Sequence, residues 1–256
     1  MDQPDGFVDR FGPRATAYAR YRPSYPAALF EMIADLAPTR DRCWDCATGN
    51  GQAATSLAQH FVQVVATDRS EAQLANAVSG HGVTYRREAA EATSLPDASV
   101  DAITVASALH WLDRSSFYAE VSRVAVPGAV IAVWTYSTRV DVSPEVDALL
   151  RRVAVEILGP YWSESWHDVE TGYRDVPFPF APLDAPKFDL RMTWTLDDLL
   201  GFVNTWSAAI RFHQERGSFA TEPLEGELRG AWGPAEARQA IIPLHLRMGR
   251  VARPAG

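Results

Sequence analysis

Short apolar runs alternate with segments of helical periodicity through the first half of the chain. Runs rich in β-branched and small residues predict five strands, over residues 43–46, 62–67, 83–86, 100–106 and 129–136. Apolar positions three and four residues apart predict helices over residues 27–37, 52–60, 71–78 and 115–124. Strands and helices that alternate in this way are joined by right-handed crossovers. The pattern therefore predicts a parallel sheet with helices on both faces.

The pattern changes in the second half of the chain. A helix, a proline-rich loop, a strand, a helix and a last strand are expected over residues 144–158, 159–186, 187–194, 195–214 and 243–251. Thr195 is a suitable N-cap for the second of these helices. Two late strands around a long insertion are typical of an antiparallel hairpin at a sheet edge. The predicted fold is α/β and Rossmann-like, with a seven-stranded, mostly parallel sheet, an antiparallel closing hairpin and an aromatic cap insertion.

Composition indicates a single domain, since 256 residues with 47% hydrophobic content suffice for one full core. We divide it into an N-terminal arm and helix, a cofactor-binding core, a cap insertion and a region of late strands and helices, over residues 1–40, 41–136, 137–186 and 187–256. The formal net charge of −8, without any basic run, disfavours a nucleic-acid partner. The chain starts without an apolar leader, and no segment approaches the ~18 apolar residues that span a bilayer. A cytoplasmic protein that acts on a small molecule is expected.

Cys43 and Cys46 form a C-x-x-C pair, a spacing found in redox and zinc sites. They are the only two cysteines, so a four-cysteine zinc site is excluded. Both fall on a predicted strand, where residues three apart point to opposite faces. A structural role is therefore favoured for both.

The turn after the first predicted strand carries the main candidate chemistry. Asp45 precedes a small-residue turn with Gly49 and Gly51, and Asp68 ends the next apolar run. Small residues let a backbone approach a ligand closely, and an acid that ends the second strand can accept hydrogen bonds from ribose hydroxyls. An adenosine-containing cofactor is therefore expected across the mouth of the sheet.

Two cofactors are compatible with this turn, because residues 49–54 also match the G-x-G-x-x-A fingerprint of NAD-binding folds. Three features favour S-adenosylmethionine. Asp45 before the turn can accept from the cofactor amine, residues 89–91 can cover an adenine edge with backbone N–H groups, and the late antiparallel pair is not typical of dinucleotide folds. Methyl transfer to a small molecule is the leading interpretation, with an NAD-dependent oxidoreductase and a non-catalytic cofactor-binding protein as alternatives.

Further motifs follow one another nearly end to end, at Tyr18 and in residues 22–26, 44–54, 90–101, 108–113, 159–162, 205–207 and 243–251. Through them the chain resembles the class I S-adenosylmethionine-dependent methyltransferases, more narrowly the trans-aconitate-methyltransferase-like group. Motifs in this order are more specific than a glycine loop alone. Two positions depart from the group's pattern: Ala47 replaces the first loop glycine, and Ala89 stands where many relatives carry an acid against the adenine amine.

The residues and the resemblance together assign the amino-acid end of the cofactor site. Gly49 and Gly51 are expected to pack closely on the cofactor, with Ala47 beside them. Asp45 is expected near the cofactor amine, directly or through water. Ala106, which ends the fourth predicted strand, is expected near the sulfonium.

The adenosine end is assigned in the same way. Asp68 is expected to bind the ribose hydroxyls, although it could also cap the helix that follows. Arg69 is expected to flank the adenine, Ala90 to donate its N–H to it, and Glu91 is a candidate for the adenine amine.

The resemblance further implies a lid in the N-terminal arm, formed by Tyr18 and Arg22. An arginine there could grip the cofactor carboxylate or a substrate acid with two hydrogen bonds. The plainer alternative is a surface arginine stacked on a neighbouring tyrosine.

The substrate is expected beyond the fourth strand, where His110 and Trp111 follow at the edge that binds ligands in open α/β sheets. His110 could act as a base, hydrogen-bond the acceptor, or pack against Trp111 in a structural role. A carboxylate acceptor needs no base, only a cationic anchor. An apolar pocket could be roofed by aromatic residues of the insertion and the late helix, Tyr161, Trp162, Trp166, His167 and Trp206. Acids and histidines with metal-ligand spacing are missing from the sequence, so a metal-free site is expected.

Overall fold

A computed structural model describes residues 20–252 of the chain. Its strands are β1 Arg42–Cys46, β2 Gln63–Asp68, β3 Val83–Arg87, β4 Val100–Ala106, β5 Ala125–Thr135, β6 Ala181–Leu183, β7 Phe188–Trp194 and β8 Arg238–Arg250. Its α-helices are α1 Ala27–Leu36, α2 Gln52–Leu57, α3 Glu71–Ala75, α4 Arg114–Val124, α5 Pro144–Arg152, α6 Trp166–Glu170, α7 Leu196–Val203, α8 Ser207–Arg216 and α9 Glu225–Trp232. Within residues 20–252, no helix has the length and apolarity of a membrane crossing.

One mixed sheet organises the described residues, in the order β3-β2-β1-β4-β5-β8-β6, with β7 paired to β8. Strands β1 to β5 run parallel to one another, as the β/α alternation predicted. The long β8 runs antiparallel to β7 along residues 238–244 and antiparallel to β5 along residues 245–250. This pair is the predicted closing hairpin. The sheet has eight strands rather than seven, because three residues of the predicted loop form β6 against the end of β8.

Several element boundaries differ from the sequence predictions for local reasons. Strand β5 starts before Pro127 and Gly128 instead of after them, and the strand pairing with β4 shifts register there as in a bulge. The helix predicted to continue to residue 214 is instead two helices, α7 and α8. Thr205 lies at the break, and its hydroxyl donates to the Phe202 carbonyl at 2.6 Å, a local bond that competes with the helical ladder. Thr195 caps α7 as predicted, in a reciprocal capping box with Asp198.

The apolar core lies in two layers, one on each face of the sheet. Alternate residues of β5 contribute to different layers, so that Trp134 packs in one and Val133 in the other. Cys43 and Cys46 also divide between the layers, and both are buried free thiols. Burial raises the pKa of both thiols well above the ordinary value, which agrees with a structural role for the C-x-x-C pair.

Candidate active site

The carboxyl ends of the central parallel strands form the edge at which the candidate residues meet. β1 lies between β2 and β4, and the chain leaves β1 and β4 toward opposite sides of the sheet order. This is the switch point at which open α/β sheets bind ligands. The loop after β1 and the segment after β4 therefore border one crevice.

The loop after β1 is built from left-handed backbone. The φ angles of Ala47, Gly49 and Gly51 are 53°, 58° and 82°, a region that glycine adopts freely and other residues rarely. At Gly51 a side chain is also excluded by space, since a Cβ atom would lie 2.0 Å from the Tyr85 hydroxyl oxygen. The loop therefore has the tight, small-residue backbone that is expected where a chain approaches a cofactor closely.

Ala47 occupies the position at which the resemblance calls for glycine, and it adopts the glycine conformation all the same. A left-handed backbone costs a residue with a Cβ atom roughly 1–2 kcal/mol. The loop thus keeps the left-handed conformation although alanine replaces the glycine of the group's pattern, and the backbone at residue 47 is strained.

Asp68, at the end of β2, is tied to the glycine loop. Its carboxylate accepts from the Gly49 N–H at 2.8 Å and from the Ser70 N–H at 2.8 Å. Helix α3 is capped by Ser70, whose hydroxyl oxygen accepts from the Gln73 N–H, so the cap considered for Asp68 belongs to Ser70. These bonds hold the carboxylate at the carboxyl end of β2, beside the glycine loop, and its contact with a ribose stays a prediction.

Asp45 lies beneath this loop and has no exposed surface. Its two carboxylate oxygens accept from the hydroxyls of Thr48 and Thr104, the latter at 2.7 Å. Burial, the largest effect, raises the pKa of Asp45 from 3.8 to about 6. The carboxylate supports the loop from inside, and its contact with the cofactor amine stays a prediction.

The residues assigned to the adenine follow β2 and β3 at the same edge of the sheet. Ala90 is buried in the segment after β3. The neighbouring Glu91 accepts from the Asp113 N–H at the start of α4, at 3.1 Å, so its carboxylate bridges this segment to the next helix. Arg69 follows Asp68 directly, and its carbonyl accepts from the Arg87 guanidinium at 3.3 Å.

A pocket of about 610 Å³, partly open to solvent, lies beyond the ends of β4 and β5. Its walls come from the segments after both strands, the α6 region and the start of α8: Arg22, Ser107, His110, Trp111, Thr135, Tyr136, Ser137, Thr138, Trp162, Ser163, Trp166, Val169, Trp206 and Ser207. The predicted residues Arg22, His110, Trp111, Trp162 and Trp206 are brought together here. Ala106, the last residue of β4, precedes the lining residue Ser107 and joins this pocket to the glycine-loop side.

Two described residues predicted for this region, Tyr161 and His167, are not among those that line the pocket. Tyr161 packs instead against Phe212, with ring centroids 5.1 Å apart, and its hydroxyl accepts from the Arg216 guanidinium at 2.9 Å. Tyr18 lies outside the described residues.

Arg22 is anchored at one wall of the pocket. Its guanidinium donates to the Tyr136 hydroxyl at 2.7 Å and to the Thr205 carbonyl at 3.0 Å. It also lies over the rings of Tyr136 and Phe202, at 5.6 and 5.5 Å. These contacts hold a cation at the wall of this pocket rather than at the glycine loop.

His110 lies in a 3₁₀ turn after β4, Leu109–Trp111. Its Nδ1 is 2.8 Å from the Tyr173 hydroxyl oxygen, and its ring lies 4.5 Å from that of Trp111. Burial, and then the positive charges of Arg114 and Arg22, lower the pKa of His110 to about 3. The imidazole is therefore neutral at physiological pH.

Some residues of the site were not predicted. Tyr173 reaches His110 across 63 positions of sequence, and no local pattern marks it. Ser107 lines the pocket with a left-handed backbone, φ 52°, directly after β4; its position after an apolar strand is the signal that could have found it. Trp166, in contrast, was expected at the roof of the pocket; it lines the pocket and stacks on Trp162 with centroids 5.0 Å apart and planes at 11°. Among the described residues, no group of three or more acidic, histidine or cysteine side chains is placed to hold a metal ion.

Comparison with known proteins extends this geometry. The family model described as a methyltransferase domain matches residues 44–133. A protein of Dictyostelium discoideum named as a methyltransferase is 30% identical over 245 residues, which cover 94% of this chain and 93% of the relative. An uncharacterized methyltransferase of Mycobacterium tuberculosis is 36% identical over 132 residues, 48% of this chain and 51% of the relative. A solved structure described as a type II methyltransferase of Anaeromyxobacter dehalogenans is 41% identical, with a TM-score of 0.84 and coverage of 91% and 99% of the two chains.

Proposed function

This chain belongs to the class I S-adenosylmethionine-dependent methyltransferases, and we propose that it methylates the carboxylate of a small organic acid with a flat, apolar body. Its cofactor is S-adenosylmethionine, and the family decides between the two cofactors that the glycine loop allowed. When bound, the cofactor supplies a methyl group already activated by a sulfonium.

The loop after β1 and the end of β2 fit this cofactor. The left-handed backbone at Ala47, Gly49 and Gly51 provides the close approach that its amino-acid end needs. Asp68 is held beside the loop by the N–H groups of Gly49 and Ser70, and we assign the ribose hydroxyls to its carboxylate. We assign the adenine to Arg69, which follows β2, and to Ala90 and Glu91, which follow β3. We assign the sulfonium to the neighbourhood of Ala106.

The charges around His110 carry the proposal for the acceptor. Besides burial, the groups that shift the pKa of His110 are two cations, Arg114 and Arg22. Arg22 itself lines the pocket. Arg114 is already paired with Asp168 at 2.8 Å, so Arg22 is the cation in the pocket wall that favours an anionic acceptor.

The low basicity of His110 supports the same choice. A thiol has an ordinary pKa of about 8.5, so proton transfer to an imidazole with a pKa of about 3 would be uphill by about 7 kcal/mol. Proton transfer from a hydroxyl acceptor to His110 would be further uphill. A carboxylate is already ionised at neutral pH and needs no base, so His110 can serve as a hydrogen-bonding group.

The reaction then moves no proton. A carboxylate oxygen forms a bond to the methyl carbon, the carbon–sulfur bond breaks, and its electrons stay on sulfur. The products are a methyl ester and S-adenosylhomocysteine. The protein contributes alignment of the oxygen with the methyl group and exclusion of water.

The aromatic walls define the rest of the acceptor. Trp111, Trp162, Trp166 and Trp206 all line the pocket, and aromatic walls of this kind are typical of small-molecule sites. Flat faces of this kind suit an unsaturated or aromatic body. We infer that residues 137–186, which supply Trp162 and Trp166, act as the cap of this pocket. The narrower resemblance to the trans-aconitate-methyltransferase-like group supports the same class of acid.

A panel of paired acceptors tests the proposal. Transfer of a labelled methyl group is measured to unsaturated and aromatic acids, trans-aconitate included, and to the amide of each acid. Label is expected in the acids and not in the amides, because the amides lack the anionic oxygen. Transfer to phenols, thiols or amines with none to any acid would overturn the choice of acceptor, while the cofactor assignment would stand.

A further inference from the structure

We propose that Tyr173 is a positioning residue that holds His110 with its proton on Nε2, so that the imidazole donates a hydrogen bond to the acceptor. The role for His110 rests on the proposed function. The tautomer itself does not, and it can be measured without an acceptor.

Tyr173 is placed to control His110. It is completely buried, and its hydroxyl oxygen lies 2.8 Å from Nδ1 of His110. Tyr173 does not line the pocket, whereas His110 does. Since Nδ1 is occupied by the phenol, Nε2 is the ring nitrogen that remains for the acceptor.

The direction of this hydrogen bond follows from the surroundings of the phenol oxygen. Burial, the largest effect, raises the pKa of Tyr173, so the phenol keeps its proton. Among the described residues, Nδ1 of His110 is the one hydrogen-bond partner of this hydroxyl, at 2.8 Å. If Nδ1 carried a proton and donated it, the buried phenol O–H would be left without an acceptor, so the phenol donates to Nδ1 of the neutral imidazole. A neutral imidazole that accepts at Nδ1 carries its proton on Nε2.

The backbone that carries Tyr173 is held in an unusual conformation. Gly172 and Tyr173 are consecutive left-handed residues, with φ angles of 63° and 61°. At Gly172 a Cβ atom would lie 2.4 Å from Cγ of His245, so only glycine fits there. A left-handed tyrosine is uncommon and persists where the surroundings determine it.

Arg247 on β8 holds the backbone of Tyr173 in this conformation. Its Nη1 donates to the carbonyl of Tyr173 and, at 2.6 Å, to the carbonyl of Val176. The guanidinium also lies over the Phe178 ring, 4.8 Å from its centroid. The closing strand of the sheet thus fixes the turn that delivers the phenol to His110.

Nitrogen NMR of the full chain labelled with ¹⁵N-histidine reads the tautomer directly, because protonated and unprotonated ring nitrogens differ strongly in chemical shift. The His110 signals are assigned by their loss in His110→Gln. In the wild-type protein we expect a protonated Nε2 and an unprotonated Nδ1 at neutral pH. In Tyr173→Phe we expect the Nδ1 shift to move and the other tautomer to become measurable.

Kinetics provide the second readout. Loss of the orienting hydrogen bond should lower kcat on the best acid of the panel about tenfold, with the KM for S-adenosylmethionine unchanged. The matched control is Tyr118→Phe, which removes another buried phenol hydroxyl, bonded to the Pro177 carbonyl at 2.9 Å. It should leave the His110 signals and kcat unaltered.

Two results would overturn the proposal: a wild-type His110 with its proton on Nδ1, or His110 signals that are the same in Tyr173→Phe as in the wild type. If no acid accepts a methyl group, the proposed function fails, and the NMR result still decides the tautomer. If Tyr173→Phe does not fold, the wild-type spectrum alone decides it.

Discussion

Replacement of Asp68 by alanine removes the residue on which the cofactor assignment depends most. The carboxylate accepts from the N–H groups of Gly49 and Ser70, each at 2.8 Å, and hydrogen bonds to a charged group are worth roughly 1.5–3 kcal/mol each. Loss of the ribose contact should weaken cofactor binding at least tenfold, or by about 1.4 kcal/mol. Loss of the two backbone bonds should also lower the free energy of unfolding of the ligand-free protein.

Calorimetric titration with S-adenosylhomocysteine measures the affinity, and denaturant unfolding measures the separate effect on stability. The matched control is Glu71→Ala, which removes the same charge from an exposed side chain, 79% accessible, that is paired with Arg87 at 3.2 Å. Such a surface pair contributes little, so its affinity should stay within about twofold of the wild type. Unchanged affinity in a folded Asp68→Ala variant would show that the ribose is held elsewhere.

Three further changes test the site. Ala47→Gly should raise the free energy of unfolding by up to about 1 kcal/mol in denaturant titrations, because glycine tolerates the φ of 53°; a clear loss of stability would contradict the strain assigned to residue 47. In Asp45→Asn the stability should gain on the wild type as pH rises from 5 to 8. A folded pKa of about 6 against an ordinary 3.8 means that the folded state binds the extra proton, so wild-type stability falls across this range by about 1.4 kcal/mol; parallel pH profiles would refute the buried carboxylate. Arg22→Gln should raise the KM for the acid about tenfold and leave that for S-adenosylmethionine nearly unchanged, since a charge-assisted contact is lost only at the acceptor; the reverse pattern would place Arg22 on the cofactor carboxylate.

The parts of the fold that repeat along the chain were predictable. Strands β1 to β5 and the closing pair follow from apolar runs whose period is visible in short windows. β6 was not, because its three residues include Pro182 and depend for pairing on β8, far along the chain. The break at Thr205 was missed for a related reason: one hydroxyl bond to Phe202 outweighs a continuous helical pattern.

The residues of the candidate site also differ in how well the sequence predicted them. Asp68 and the loop glycines were marked by spacing, since each lies within a few residues of a strand end. Asp45 was marked too, yet its burial against Thr104 depends on a contact across 59 positions. Tyr173 depends on a left-handed turn held by Arg247 from the closing strand, and such a contact has no local signature.

The chemical stability of the transferred methyl group tests the central claim most directly. After reaction with S-adenosylmethionine labelled in its methyl group and the acid panel, the product is treated with mild base and volatile label is counted. A methyl ester is hydrolysed under these conditions, so the label should be released as methanol, and the release should be absent without enzyme. Label that stays on the product through base, as in a methyl ether, thioether or amine, would contradict carboxylate methylation in the pocket of Arg22 and His110.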